Sequence, residues 1–185
     1  QSGANDLSRI VGDVQHPIAR SQNGTATVEF VILFPVFMTL FVSVFESGLM
    51  MTRLTMLERG LDLTVRAIRL SPGNANITHA AVKQMICDNA GILQDCTNSL
   101  KVELLQVSPN AWIAPSLAAD CVDRTSEIEP VVTFNSGDEG DLLFIRACVV
   151  VDPMYPNIGL GLILSKDSSG GVMLVASSAF ANEAR

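Results

Sequence analysis

The sequence predicts an α+β protein: one long N-terminal helix, apolar first and amphipathic afterwards, carrying a small head of one helix and an antiparallel sheet. Three observations predict it. Phe30 to Phe45 is 16 residues without a charge, longer than a strand and apolar enough to enter a membrane. Leu54, Leu57, Leu61, Val65 and Ile68 then recur at steps of three and four, the period of a helix with one buried stripe. Apolar stretches at 100–107, 131–134, 142–151 and 171–178 come last. No helical segment separates the late ones to make parallel crossovers, so the sheet is antiparallel.

Composition narrows the function classes. The chain has 185 residues, 48% of them hydrophobic and 17% charged, which excludes a disordered chain and fits one modest domain with an appendage. Twelve Lys and Arg against 19 Asp and Glu give a net charge of −7, with one Trp and one Tyr. No basic cluster stands anywhere, so a nucleic-acid footprint is excluded. The chain begins at Gln1 without an initiator Met, and further residues are expected upstream.

Residues 1–24 are mostly polar and show no period; they read as a leader or flexible tail, a cytoplasmic segment if the apolar run that follows spans the membrane with the head outside. The helix is expected over 25–70. Its apolar character continues past Glu46 to Met51, so about 30–51 spans about 33 Å at the helical rise, enough to cross a bilayer. A cleaved secretory signal is the competing reading. No small-x-small triplet follows the run in "ESGLMMTRLTML", so the segment stays attached as an anchor. Pro35 cannot donate to the carbonyl of Val31 and should loosen the helix there. Glu46 is expected at the far membrane interface, the other option being a protein contact.

"SPGNAN" at 71–76 stops the helix, and the head follows over 74–185. Its helix is expected at 77–89, capped by Asn76 or Thr78, with Ala81, Val82, Met85 and Ile86 on one face. Four strands are expected at 100–107, 131–134, 142–151 and 171–178.

The cysteines are Cys87, Cys96, Cys121 and Cys148. No pair has the C-x-x-C spacing of a zinc ribbon or a thioredoxin-type site. An even number on one side of an apolar segment suggests disulfides and an oxidising compartment; four buried thiols are the alternative. Four cysteines allow three connectivities. Cys87 with Cys96, across a gap containing Gly91, and Cys121 with Cys148 is the expected set. No catalytic constellation, cofactor site or metal site is assigned. His16 and His79 are far apart in sequence, "GLG" at 159–161 lacks the rest of a dinucleotide fingerprint, and Asp138, Glu139 and Asp141 read as a solvated turn.

The chemistry concentrates in "NGTATVEF" at 23–30. Gly24 offers an unbranched, extended backbone, and cutting after it creates an amine at Thr25. Glu29 then lies one turn from that amine, with Phe30 beside it, and its charge complements the helix N-terminus. Glycine, four residues, glutamate and an aromatic at the edge of an apolar helix is similar to a type IV pilin-like leader. The stretch "GTATVEFVILFPVFMTLFVSVFESGLMMTRLTMLERGLDLTVRAIR", with its Pro35 and its E-S-G at 46–48, resembles the TadE-like proteins, minor pseudopilins of the Flp/Tad pilus system. The tail "VASSAFANEAR" resembles that family's ending, with Ala184 where a proline is usual.

The resemblance implies a pilin-like fold and a structural role in pilus assembly, with no enzymatic activity. It implies processing at Gly24, Thr25, Glu29 and Phe30 by a prepilin-type leader peptidase, and an assembly role for Glu29, which meets the terminal amine of a neighbouring subunit. Implied partners are the membrane, other pseudopilins and the Tad inner-membrane platform. The implied location is the bacterial inner membrane, single-pass, with the C-terminal domain periplasmic. Charge counting alone points the other way, since Arg9 and Arg20 precede the span while Arg53, Arg59, Arg66 and Arg69 follow it. The alternative function is a signal-anchored periplasmic enzyme or ligand-binding domain.

Overall fold

The computed structural model describes residues 23–70, 78–107, 116, 119–125, 133–135, 137 and 140–181. Outside them lie leader residues 1–22 with His16, the stop signal at 71–76 with the candidate cap Asn76, Val131 and Val132, Asp138 and Glu139, and the tail at 182–185. Two compact units divide the chain, 1–38 and 39–185.

Helix α1 is Asn23–Leu70 and runs through Pro35. It starts two residues before the expected Thr25, so Gly24 is helical and not extended; once nucleated, the apolar helix extends at little cost through a preceding turn. From Ala26 to Phe41 every described side chain is exposed. The helix is long and apolar enough to cross a membrane.

In the second unit α1 supplies one wall of the core. Leu57, Leu61, Val65 and Ile68 are buried as their spacing predicts, each contributing about 1.5–3 kcal/mol by leaving water. Helix α2, His79–Ala90, buries Val82, Ile86 and Ala90, and the Thr78 side chain accepts the N–H of Ala81 as its cap. Ala81 itself is exposed, because the helix is rotated so that Ala90 completes the buried stripe. Gly60 lets α1 and α2 approach closely: a Cβ there would lie 2.7 Å from the carbonyl oxygen of Ile86.

A short helix α3, Cys96–Ser99, leads into β1, Leu100–Val107; β2, Leu142–Val151, and β3, Val172–Ala181, follow. The sheet is antiparallel in the order β1-β2-β3. Its register places Val102, Ala147 and Ala176 side by side, and likewise Leu100, Val149 and Leu174, so this face meets the helices. The α+β class with a helix-plus-antiparallel-sheet head is therefore the one the sequence predicts. The strand expected at 131–134 is replaced, among the described residues, by an isolated parallel bridge between Phe134 and Leu104. Ladder bonds form there only at Leu104, to Thr133 and Asn135.

The opposite face is polar where β1 meets β2. Glu103 and Arg146 are register partners and form a buried ion pair at 3.0 Å. Arg146 also donates to the carbonyl of Ser116, and Lys101 pairs with Asp120. Disulfides join Cys87 to Cys96 and Cys121 to Cys148, with Cα atoms 5.7 and 5.3 Å apart, which is the expected connectivity.

Candidate functional site

The predicted processing residues occupy the first turns of α1. Gly24 and Thr25 are helical, and Glu29 and Phe30 are exposed. The Phe30 ring sits 5.1 Å from that of Phe34, one turn on, as the i, i+4 spacing requires. No hydrogen bond or ion pair among the described residues engages Glu29. Its carboxylate is thus open to a group from elsewhere.

A second carboxylate on the same helix has the opposite environment. Glu46 is fully buried, and its two oxygens accept the backbone N–H groups of Met154 and Tyr155 at 3.0 and 3.1 Å. Of the two environments expected for Glu46, the protein contact is observed: the carboxylate is engaged by backbone amides of the head. A buried carboxylate without donors is costly, and the loop after β2 presents two amides that offset this. Ser43, three residues earlier, accepts the N–H of Leu160 at 3.1 Å while donating to Thr39. Gly159, at φ 57°, passes so close to Ser43 that a Cβ would collide with its hydroxyl.

Further out, Arg53 donates to the carbonyl of Asp152 at 2.9 Å. Ser43, Glu46 and Arg53 therefore hold 152–160 from one stripe of α1, which also carries the buried Met50. The sequence contained a signal for it, since stepping back from Ile68 by threes and fours along the buried stripe reaches Met50, then Glu46 and Ser43. Beyond the grip, residues 160–163 make one helical turn, α4, Leu160–Ile163, where the sequence reading of "GLG" expects a loop. The turn is too short to carry a helical period.

A cleft of about 550 Å³ opens beside Arg53, lined by Asp95, Asn98, Asp123, Arg124 and Asp152 among others. Arg124 makes a forked contact with Asp152, at 3.0 and 2.7 Å. That contact holds the Asp152 carboxyl below the usual carboxylate range and raises the guanidinium. Asp123 is likewise lowered, by the hydroxyl and then the N–H of Thr125. Of the lining charges, Arg124 and Asp152 satisfy each other, while Asp123 and Asp95 accept from Thr125 and Asn98. Among the described residues no group of three or more His, Cys, Asp or Glu is placed to hold a metal ion. His79 Nε2 is buried without a partner, its ring edge-on to Phe134, and stands apart from the residues lining the cleft.

The family model described as TadE-like protein matches residues 24–64. The match begins at Gly24 and takes in Glu29, Ser43, Glu46 and Arg53, but not α2 or the sheet. No curated protein and no solved structure matches the chain.

Proposed function

We propose that this chain, TadE-like over residues 24–64, is a minor pseudopilin of the Flp/Tad pilus system. It is anchored in the bacterial inner membrane by a single span, with its head in the periplasm, and it acts by assembly and not by catalysis. A prepilin-type leader peptidase cuts between Gly24 and Thr25. The new amine then starts α1, and Glu29 of an incoming subunit meets the amine of a neighbour within the membrane. Other pseudopilins and the Tad inner-membrane platform are its partners.

The observation that carries this reading is the exposed, unengaged carboxylate of Glu29, nearly two turns inside a 48-residue helix and about one turn from Thr25. In hydrocarbon such a carboxylate costs about 2.5–3.5 kcal/mol on insertion scales, and a subunit's amine offsets that cost. The two disulfides support an oxidising compartment for the head. They outweigh the arginine count, of which Arg53 is in any case committed to the carbonyl of Asp152. The cleft beside Arg53 favours the rival reading, a signal-anchored periplasmic ligand-binding domain or enzyme. There, Arg124 and Asp152 are already committed to each other.

The experiment is N-terminal mass analysis of membrane-extracted protein expressed with its peptidase, alongside Gly24→Leu and Glu29→Gln. The expected results are a Thr25 N-terminus in the wild type, an intact leader in Gly24→Leu, and normal insertion with defective piliation in Glu29→Gln. A Gly24→Leu protein that matures to the wild-type mass overturns the processing step, and full piliation with Glu29→Gln overturns the role of the carboxylate.

A further inference from the structure

We infer that the loop 153–164 is a membrane-contacting element, seating the head on the lipid surface that α1 crosses. Its occupant is the boundary between headgroups and acyl chains. The inference rests on the reading of α1 as a bilayer span. A hydrocarbon core of about 30 Å takes about 20 helical residues; because Glu46 and Met50 are buried in protein, the span is placed before them, from Ala26 to near Phe45, and not over the 30–51 expected from apolar character. Ser43 and Glu46, which hold the loop by the amides of Leu160, Met154 and Tyr155, bracket that position. The loop is thus fastened to α1 where the span ends.

The composition of the loop fits that depth. No charged residue occurs between Asp152 and Lys166. Met154, Tyr155, Ile158, Leu162 and Ile163 all face outward, Leu162 at 66% and Ile163 at 80% exposure. Phe41, Val44 and Phe45 of α1 are exposed as well, so apolar surface is presented both by the helix and by the loop fastened to it. Tyr155 has the apolar body and polar tip of an interfacial anchor. Lys166 ends the apolar run, its ammonium donating to the carbonyl of Pro156 at 2.6 Å.

Backbone hydrogen bonding is the independent observation. Irregular chain at hydrocarbon depth must satisfy its own polar groups. Besides the three amides taken by Glu46 and Ser43, the N–H of Ile158 donates to Tyr155, that of Leu162 to Gly159 and that of Leu164 to Leu160. Six of the ten N–H groups of 153–164 are thus taken within the protein, and those of Asn157, Gly159, Gly161 and Ile163 are left to the water and headgroups of the boundary.

The test is tryptophan quenching by a mixture of phosphatidylcholines brominated on acyl carbons near the glycerol and near the chain end, so that residues at the boundary and at the bilayer centre are both read. The full chain is reconstituted in vesicles on a Trp112→Phe background. Ile163→Trp should lose most of its emission, as should Phe37→Trp within the span. Glu58→Trp, about 18 Å further along α1 than Glu46, should keep its emission. Quenching at 37 with none at 163 overturns the inference while leaving the span intact. Loss of quenching at both positions overturns the span and the inference with it. A blue-shifted but unquenched Trp at 163, dependent on protein-to-lipid ratio, assigns the surface to a second subunit and also overturns the inference. The readout uses unprocessed protein, so it is independent of leader cleavage and pilus assembly.

Discussion

Glu46 shows how a charge in an apolar stretch is to be weighed by the donors within its reach. On the sequence it interrupts a run that would otherwise continue to Met51; in the fold its two oxygens fasten the chain at Met154 and Tyr155, more than a hundred residues away. Truncation leaves two amides without acceptors, each costing about 1–3 kcal/mol when buried. Glu46→Ala should therefore speed hydrogen exchange at Met154 and Tyr155, with Ile145 and Ala147 in β2 unchanged. Glu46→Gln, which keeps one carbonyl oxygen, should give an intermediate effect. Unchanged exchange at the two amides in Glu46→Ala would show that the loop is held by its other contacts. Glu29 shares the residue type and the helix, but no donor among the described residues comes to it. The same side chain is a structural clamp at one position and an open group at the other.

At the scale of elements, legibility followed how much of the pattern was local. β1 and β2 coincide with the stretches expected from their apolar character at 100–107 and 142–151, since paired strands buried on the core face must be apolar in alternation or in runs. The α1 stripe from Leu57 to Ile68 was legible for the same reason. The helical turns at 96–99 and 160–163 were not, being shorter than one hydrophobic repeat. Phe134 falls within an apolar, β-branched stretch, yet among the described residues its backbone bridges only to Leu104, while its ring meets His79. The grip of Ser43 and Glu46 was missed because polar residues carried the stripe onward. Glycine makes a test of this scale. Gly60→Ala adds a Cβ 2.7 Å from the Ile86 carbonyl, forcing α1 and α2 apart at about 1–3 kcal/mol. Gly48→Ala meets nothing within 4 Å and should gain up to about 1 kcal/mol of helix propensity. Denaturant titrations in mild detergent should shift the midpoint down for the first and up for the second. Equal shifts would mean that the helices do not pack as closely as described.

At the scale of the whole molecule, the sheet is covered on both faces by different means, and the two disulfides divide that work. On the helical face an apolar core from α1, α2 and all three strands takes in the Cys87–Cys96 link. On the other face, Lys101 and Arg146 are charged and nearly buried; Asp120 and the carbonyl of Ser116, among residues 116 and 119–125, and Glu103 of β1 engage them. Such pairs add little net stability but cost about 3–5 kcal/mol when one partner is removed. Cys121–Cys148 fastens that segment to the centre of β2, across a sequence separation of 27 against 9 for Cys87–Cys96. Chain entropy alone assigns the longer loop about 1 kcal/mol more than the shorter, and the loosened cover adds to the difference. Replacing Cys121 and Cys148 together by Ala should therefore destabilise the head by on the order of 3–5 kcal/mol, more than the corresponding change at Cys87 and Cys96. Thermal unfolding of the two double variants, each with its remaining disulfide confirmed by non-reducing peptide mapping, measures this directly. Equal losses would mean that the polar face holds its cover through Lys101 and Arg146 without the crosslink, and a larger loss at Cys87 and Cys96 would place the critical fastening at the join between α2 and the sheet.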